Sequence, residues 1–302
     1  MSPLVVLGLS AVGSLLAIAL VSASGRVAGW LAALLPAALF VGLATHLPEI
    51  AAGGTVVQGI AWVPALDIDL VLRLDGFSLL FALLITGIGA LVAVYAGAYF
   101  ADAKPGDRAY FLVLILVFMT AMLGTVMADN LIVMFVFWEL TSLVSFFLIG
   151  FKPETRAARD AALQSLLITA GGGLALLAGI LLLGIAAGTF SFSGVLENGD
   201  TVIASPLFPA IIACVLLGAL TKSAQWPFHF WLPNAMQAPT PASAYLHSAT
   251  MVKLGVYLLA RFDQAFGAEP LFYIPLLALG GMTMLVAALQ ALRSEGLKAV
   301  LA

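Results

Sequence analysis

Apolar residues follow one another in long runs along this chain, and polar residues punctuate the runs instead of alternating with them. Runs of about eighteen or more recur throughout, each long enough to cross about 30 Å of hydrocarbon as a helix. The pattern predicts spans at roughly 3–24, 27–46, 77–100, 109–128, 130–150, 161–188, 206–224, 243–261 and 271–292. It also predicts a short helix near 229–238 and another beginning near 294. Lipid offers no hydrogen bonds, so a spanning segment must satisfy its own backbone, and helices are the default. The dyad alternation of outer-membrane barrel strands is absent.

One stretch departs from this pattern. In the long connection 47–76, Leu66, Ile68, Leu70, Leu72 and Leu74 alternate with Asp67, Asp69, Val71, Arg73 and Asp75. Period-two alternation predicts a short strand, paired with residues 55–63 in an external hairpin. Such a hairpin reads as an ordered cap without chemistry of its own.

Composition then fixes the solvent. Hydrophobic residues make up 63% of 302 positions and charged residues 9%, far outside the range of water-soluble domains. A net charge of −3 excludes a basic nucleic-acid surface. The single cysteine, Cys214, lies in an apolar run and reads as a buried, unreactive thiol. With no Cys/His metal spacing, no cofactor is expected. The first run follows Met1-Ser2-Pro3 with no basic residue before it, which reads as a retained helix, not a cleaved signal peptide. Placing the N-terminus outside puts Arg26, Lys104, Arg108, Lys152, Arg156, Arg159, Arg293 and Lys298 on the inner side. Arg73 and Arg261 then fall outside, in keeping with the positive-inside rule for a multi-pass protein of a bacterial inner membrane.

Charge inside the spans is the first candidate chemistry. An ionised group in hydrocarbon costs on the order of 3 kcal/mol or more, so such residues are functional candidates by default. Glu139 sits in LIVMFVFWELTSLVSFFLIG, Lys222 near the end of IIACVLLGALTKSA, and Lys253 within SAYLHSATMVKLGVYLLA, six residues after His247. A buried lysine is pushed toward neutrality by desolvation and toward the ammonium by a nearby carboxylate. Moving or neutralising Glu139 would therefore switch whether Lys222 holds its proton. The alternative is a static buried pair that fixes helix packing, although apolar residues of similar volume do that as well or better. His247, a side chain that titrates near neutral pH, can relay protons or can sit as a hydrogen-bonded core histidine. On an ideal helix it shares a face with Ser243 and Thr250, while Lys253 projects about 120° away.

The backbone supplies a second signal. WPFHFWLPNAMQAPTPASAYLHS places Pro227, Pro233, Pro239 and Pro241 directly after Lys222. Each proline removes a donor and obstructs a helix interior, so the seventh span is expected to break just past Lys222. Broken helices at membrane depth line cavities or ion sites, and an ordinary loop is the bland alternative. Trp226, His229, Phe230 and Trp231 read as packing at headgroup level, with His229 also a point of proton access. Gly171, Gly172 and Gly173 have no preceding strand and no following Lys-Ser/Thr, so they read as close helix packing and not as a phosphate loop.

Together, LTKSAQWPFHFWLPNAMQAPTPASAYLHSATMVKLGVYL, RLDGFS at 73–78 and FWELTSLVSFFLIGF at 137–151 resemble the proton-conducting antiporter family. That family includes the large subunits of Mrp-type multisubunit Na+/H+ antiporters and the antiporter-like subunits of complex I and membrane-bound hydrogenases. HSATMVK, with Lys253, is more similar to the Mrp A subunit. The resemblance implies an all-α polytopic membrane protein with the antiporter-like fold, a five-helix repeat, a broken seventh helix and an end before the second repeat. Its regions would be 1–108 (N-terminal helices and hairpin), 109–261 (first repeat) and 262–302 (start of the second). Glu139, Lys222, His247, Lys253 and Lys298 then match the family's proton-translocating positions. The implied partners are other membrane subunits of an antiporter complex, H+ and Na+ (or K+), and the lipid bilayer. A proton-pumping subunit of a redox complex, or a non-transporting scaffold fragment, are the other readings. The chain stops at Leu301-Ala302 where the family continues, implying a truncated sequence or one half of a split subunit.

Overall fold

The computed structural model describes residues 1–23, 27–66 and 68–301; Arg26 and Asp67, used above, lie outside them. Two apolar helices open the chain, α1 (Pro3–Ala23) and α2 (Ala28–Ala44). The connection that follows holds a short helix, α3 (Leu47–Ala51), which the alternation gave no sign of, and then the expected hairpin. Strands β1 (Val56–Val63) and β2 (Ile68–Leu74) pair antiparallel, Val56 opposite Leu74 and Ile60 opposite Leu70. Leu72 and Leu74 are buried and Asp69 is exposed, as period two requires of a half-covered strand.

Asp75 then caps α4 (Gly76–Tyr99): its Oδ1 accepts from Phe77 N (3.1 Å) and Ser78 N (2.9 Å), and Ser78 Oγ accepts from Asp75 N (2.8 Å). These bonds satisfy amides that a helix start leaves unpaired. Next come α5 (Pro105–Met127), α6 (Leu131–Ile149) and α7 (Arg156–Ala187). Helix α5 is the hub, packed against α1, α4 and α6. At 1.5 Å per residue α7 is about 48 Å long, longer than the hydrocarbon is thick, so it must tilt or project. The hairpin is stitched to the α5–α6 turn, which is tied in turn to the start of α8 (Phe192–Glu197). Asp129 N donates to Val71 O (2.8 Å), and Leu131 N donates to Phe190 O (2.8 Å). Helices α9 (Gly199–Ala204) and α10 (Phe208–Lys222) follow, and α10 packs along α7.

The seventh span breaks where the prolines placed it. Helix α10 ends on Lys222, and a 3-10 turn (Phe228–Phe230), α11 (Trp231–Ala235) and α12 (Thr240–Ser243) carry the chain across. The eighth span corrects the sequence reading, because it is not one helix from 243 to 261. Residues Ala244–Ala249 form a π-helical turn, Met251 N donates five residues back to Leu246 O (2.9 Å), and Thr250 leaves helical space at φ −131°, ψ −77°. Helix α13 (Lys253–Phe266) starts afresh after it. The ideal-helix face assigned to Ser243, His247 and Thr250 therefore does not exist. Helices α14 (Pro270–Arg293) and α15 (Leu297–Leu301) close the described chain. Among the described residues six helices are long and apolar enough to cross a membrane, and α2 and α10 are shorter apolar helices.

Candidate functional site

Lys222 is fully buried at the last residue of α10. Its Nζ donates to the Trp138 carbonyl (3.0 Å) and to Ser142 Oγ (2.7 Å), and lies 5.1 Å from the centre of the Trp138 ring. All three groups belong to one turn of α6. The carbonyl also accepts from Thr141 Oγ1 (2.7 Å), so the cation is held by neutral oxygens and a π face.

Glu139 is the next residue on α6. It is half-buried, and its Oε1 is buried with no hydrogen-bond partner. No salt bridge joins it to Lys222 among the described residues, yet each charge lies within the other's field. The closed static pair is thus not what is present. Two glycines of α7 make room for this arrangement. A Cβ at Gly173 would fall 1.9 Å from Glu139 Oε1, and one at Gly172 would fall 1.8 Å from Thr221 Oγ1. The close-packing reading holds for Gly172 and Gly173 but not for Gly171, which is exposed with open space about it, and the gap at Gly173 is where the carboxylate rests.

A second group lies across the break. His247 is buried on the π turn and neither ring nitrogen has a hydrogen-bond partner, which corrects the hydrogen-bonded core reading. Trp231 stands edge-on to it, ring centres 6.1 Å apart, and donates its indole N–H to the Thr221 carbonyl in the last turn of α10 (3.0 Å), which also accepts from Ala224 N (3.3 Å). Trp231 is wholly buried within the protein, whereas Trp226 and Phe230 are exposed. Lys298 reaches back from α15 to donate to Ala238 O (3.0 Å) and Met236 O (3.5 Å), and its charge is felt at His247. His229 lines a cavity of about 820 Å³ between the break and α14–α15, where its Nε2 accepts from Gln290 Nε2 (3.1 Å). Ser223, the neighbour of Lys222, lines the same cavity.

Lys253 is not brought to either group. It is exposed at the first position of α13, because the interruption at 250–252 resets the helical phase on which its direction was reckoned.

At the hairpin end is a cluster whose members lie far apart in the sequence. Arg261 Nη1 and Nη2 bind Asp75 Oδ2 (2.5 Å) and Oδ1 (2.9 Å), Arg261 Nε donates to Tyr257 Oη (3.0 Å), and Tyr257 Oη donates to Val126 O (2.7 Å). Burial pushes the Asp75 carboxyl up, but the hydrogen bonds from Arg261 and Ser78 and the guanidinium charge outweigh it and hold it below the usual carboxylate value. RLDGFS carried the signal for Asp75; nothing in sequence spacing tied it to a residue 186 positions away. Ser142 and Trp231 were also missed as site residues. A tryptophan set between Pro227 and Pro233 was the available clue.

The fold and site define a polytopic membrane protein with an ionisable pair beside a broken helix. The chain belongs to the family described as NADH:quinone oxidoreductase/Mrp antiporter, TM, which matches residues 128–302. Residues 60–111 match the family described as NADH-Ubiquinone oxidoreductase (complex I), chain 5 N-terminus. The chain is 48% identical to the A/B subunit of a probable K(+)/H(+) antiporter from Rhizobium meliloti, over 96% of its own length and 29% of that relative. It is also 48% identical to the A subunit of the Na(+)/H(+) antiporter from Alkalihalophilus pseudofirmus, over 91% of its own length and 34% of the relative. The solved structure of the Mrp complex from a Dietzia species superimposes with a TM-score of 0.87 at 36% identity, covering 98% of this chain and 31% of that one. The all-α antiporter-like fold is therefore that of the family, and the chain spans about a third of the length of the curated relatives it matches.

Proposed function

We propose that this chain is the proton-handling N-terminal part of the large A subunit of a Mrp-type multisubunit antiporter, exchanging cytoplasmic Na+ or K+ for external H+. The observation that carries the reading is Lys222, buried with neutral acceptors while the Glu139 carboxylate beside it stays unpaired. When the carboxylate takes up a proton or swings away, the field that favours the Lys222 ammonium is lost and the lysine can release its proton. Return of the negative charge reloads it. His247, Trp231 and Lys298 form the next group on the far side of the break, and the cavity at His229 supplies the polar approach. Lys253 serves at a later point of the pathway, on the exposed side of α13. The repeat would be 109–261, preceded by 1–108 and followed by the opening of the second unit in 262–302. The chain would cross a bacterial inner membrane several times with its N-terminus outside, beside other membrane subunits and lipid.

Relatives of equal identity are named for different cations, so identity to this chain does not select between Na+ and K+. A second reading, a proton-pumping subunit of a redox complex, is favoured by the description that matches residues 60–111. Purified partners separate the two: several small membrane subunits for the first, flavin and iron–sulfur subunits for the second. The test of the mechanism is antiport by the reconstituted complex in vesicles. Lys222→Ala and Glu139→Ala are each expected to abolish it, and full activity with normal assembly would refute the proposed switch.

A further inference from the structure

Between the second turn of α5, the last turn of α6 and the first turns of α7 lies a groove of about 350 Å³. Its walls are almost wholly apolar: Tyr110 stacks on Phe151 at 5.9 Å between ring centres, and Phe146 meets Phe147 edge-on at 5.3 Å. The one charged lining residue is Arg159. Its Nη1 donates to the Pro153 carbonyl, which holds the guanidinium at the groove mouth. No carboxylate pairs with it among the described residues; the neighbouring acid, Asp160, is engaged by Arg156 at 3.4 Å. Glu154 lies in the same connection but does not line the groove.

From this groove two exposed apolar stripes run toward the middle of the spanning segments. Leu143 and Phe147 lie one turn apart on α6 (46% and 42% exposed), and Leu163 and Leu167 lie one turn apart on α7 (49% and 72% exposed). A cationic fork at the end of a membrane helix, above an aromatic-walled trough that continues as an apolar track, matches an amphiphile with an anionic head. It does not match an extended peptide, whose backbone amides and carbonyls would find almost nothing polar to pair with in the trough; a helix, which satisfies its own backbone, would leave the Arg159 fork without an anion unless it brought a carboxylate. We propose that this groove is a binding site for an anionic phospholipid, with the phosphate on Arg159 and one acyl chain along the α6–α7 track. Guanidinium suits this task because its spare N–H groups form a planar fork that fits phosphate oxygens. Basic pockets between membrane helices hold anionic headgroups in this way.

The test is native mass spectrometry of the purified chain, released from vesicles made of equal parts phosphatidylglycerol and phosphatidylcholine. Wild-type protein is expected to retain phosphatidylglycerol preferentially. Arg159→Ala should cut that preference about fivefold, the effect of about one basic residue at a membrane surface. Arg159→Lys should keep part of the preference, because charge remains while the fork is lost. Leu163→Trp, which fills the trough without changing charge, should lower retention of both lipids. Equal retention of the two lipids by wild type would overturn the proposal. So would an unchanged preference in Arg159→Ala, or crosslinking of positions 147 and 163 to a neighbouring protein in the assembled complex.

Discussion

Two buried cations are treated in opposite ways by this fold. Arg261 is closed: a bidentate carboxylate, a phenol oxygen and two aromatic faces, Phe77 at 5.5 Å and Tyr257 at 5.3 Å, account for its surroundings. Lys222 is open: a carbonyl and a hydroxyl hold it, while the nearby carboxylate is left unpaired. A closed pair has one low-energy arrangement, so it fastens the hairpin and the α4 cap to α13. An open pair has at least two, because the carboxylate can approach, withdraw or take a proton at little packing cost. Because its direct hydrogen-bond acceptors are neutral, Lys222 can lose its proton without breaking a direct ion pair. The difference teaches that burial of a charge does not by itself mark function; the completeness of its pairing does.

The comparison can be broken in several places. The largest effect is expected at the open site, where Lys222→Met should reduce antiport to background while the complex still assembles, measured by proton flux in everted vesicles. At the closed site the order reverses. Arg261→Ala strands the Asp75 carboxylate and should cost about 3 kcal/mol of stability, read as a loss of thermal stability in detergent. The surviving folded protein should keep its antiport per molecule. Loss of activity without loss of stability would mean that Arg261 belongs to the transport path.

A subtler perturbation moves the carboxylate without removing it. Gly173→Ala would put a methyl where Glu139 Oε1 now rests and should lower antiport several-fold with assembly intact, about a 1 kcal/mol effect on a barrier. Unchanged flux would show that the gap at Gly173 does not set the carboxylate's position.

The closed site also has a pH signature. Asp75 titrates below its ordinary value of 3.8 in the folded protein. Its ionised form therefore contributes stability that is fully present above that value and is lost as pH falls through the depressed native one. Thermal stability should be insensitive to Asp75 between pH 7 and 5, and Asp75→Asn should blunt the acid-side fall below about pH 4. The smallest effect is expected at Lys253, which is exposed on this chain. Lys253→Ala should impair antiport less than Lys222→Met, and an equal loss would place a neighbouring segment over it.

Several elements are legible in the sequence because local chemistry decides them. Alternation at 66–75 marks the hairpin, four prolines after Lys222 mark the break, and an apolar run around Glu139 puts its carboxylate at membrane depth. The eighth span is not legible, because a π turn leaves no compositional trace: its residues are as compatible with an α-helix as with the wider turn. Once the turn slips, the direction of every later residue changes, which is why Lys253 points elsewhere than an ideal helix implies. Hydropathy is equally silent about neighbours. The hub helix α5 and the peripheral α14 are both apolar enough to span, yet 78% of the apolar window in one is buried and 6% in the other.

By itself, then, the sequence determined the solvent, most of the apolar helices, the point at which the seventh helix stops and which ionisable residues stand in apolar surroundings. These follow from the cost of placing backbone and charge in hydrocarbon, which each segment meets on its own. Only the tertiary structure decided which charges are paired. Pairing depends on distances between residues as far apart in the chain as Asp75 and Arg261, and on gaps such as the one Gly173 leaves for Glu139. Those are properties of helices packed together, and a single segment does not carry them.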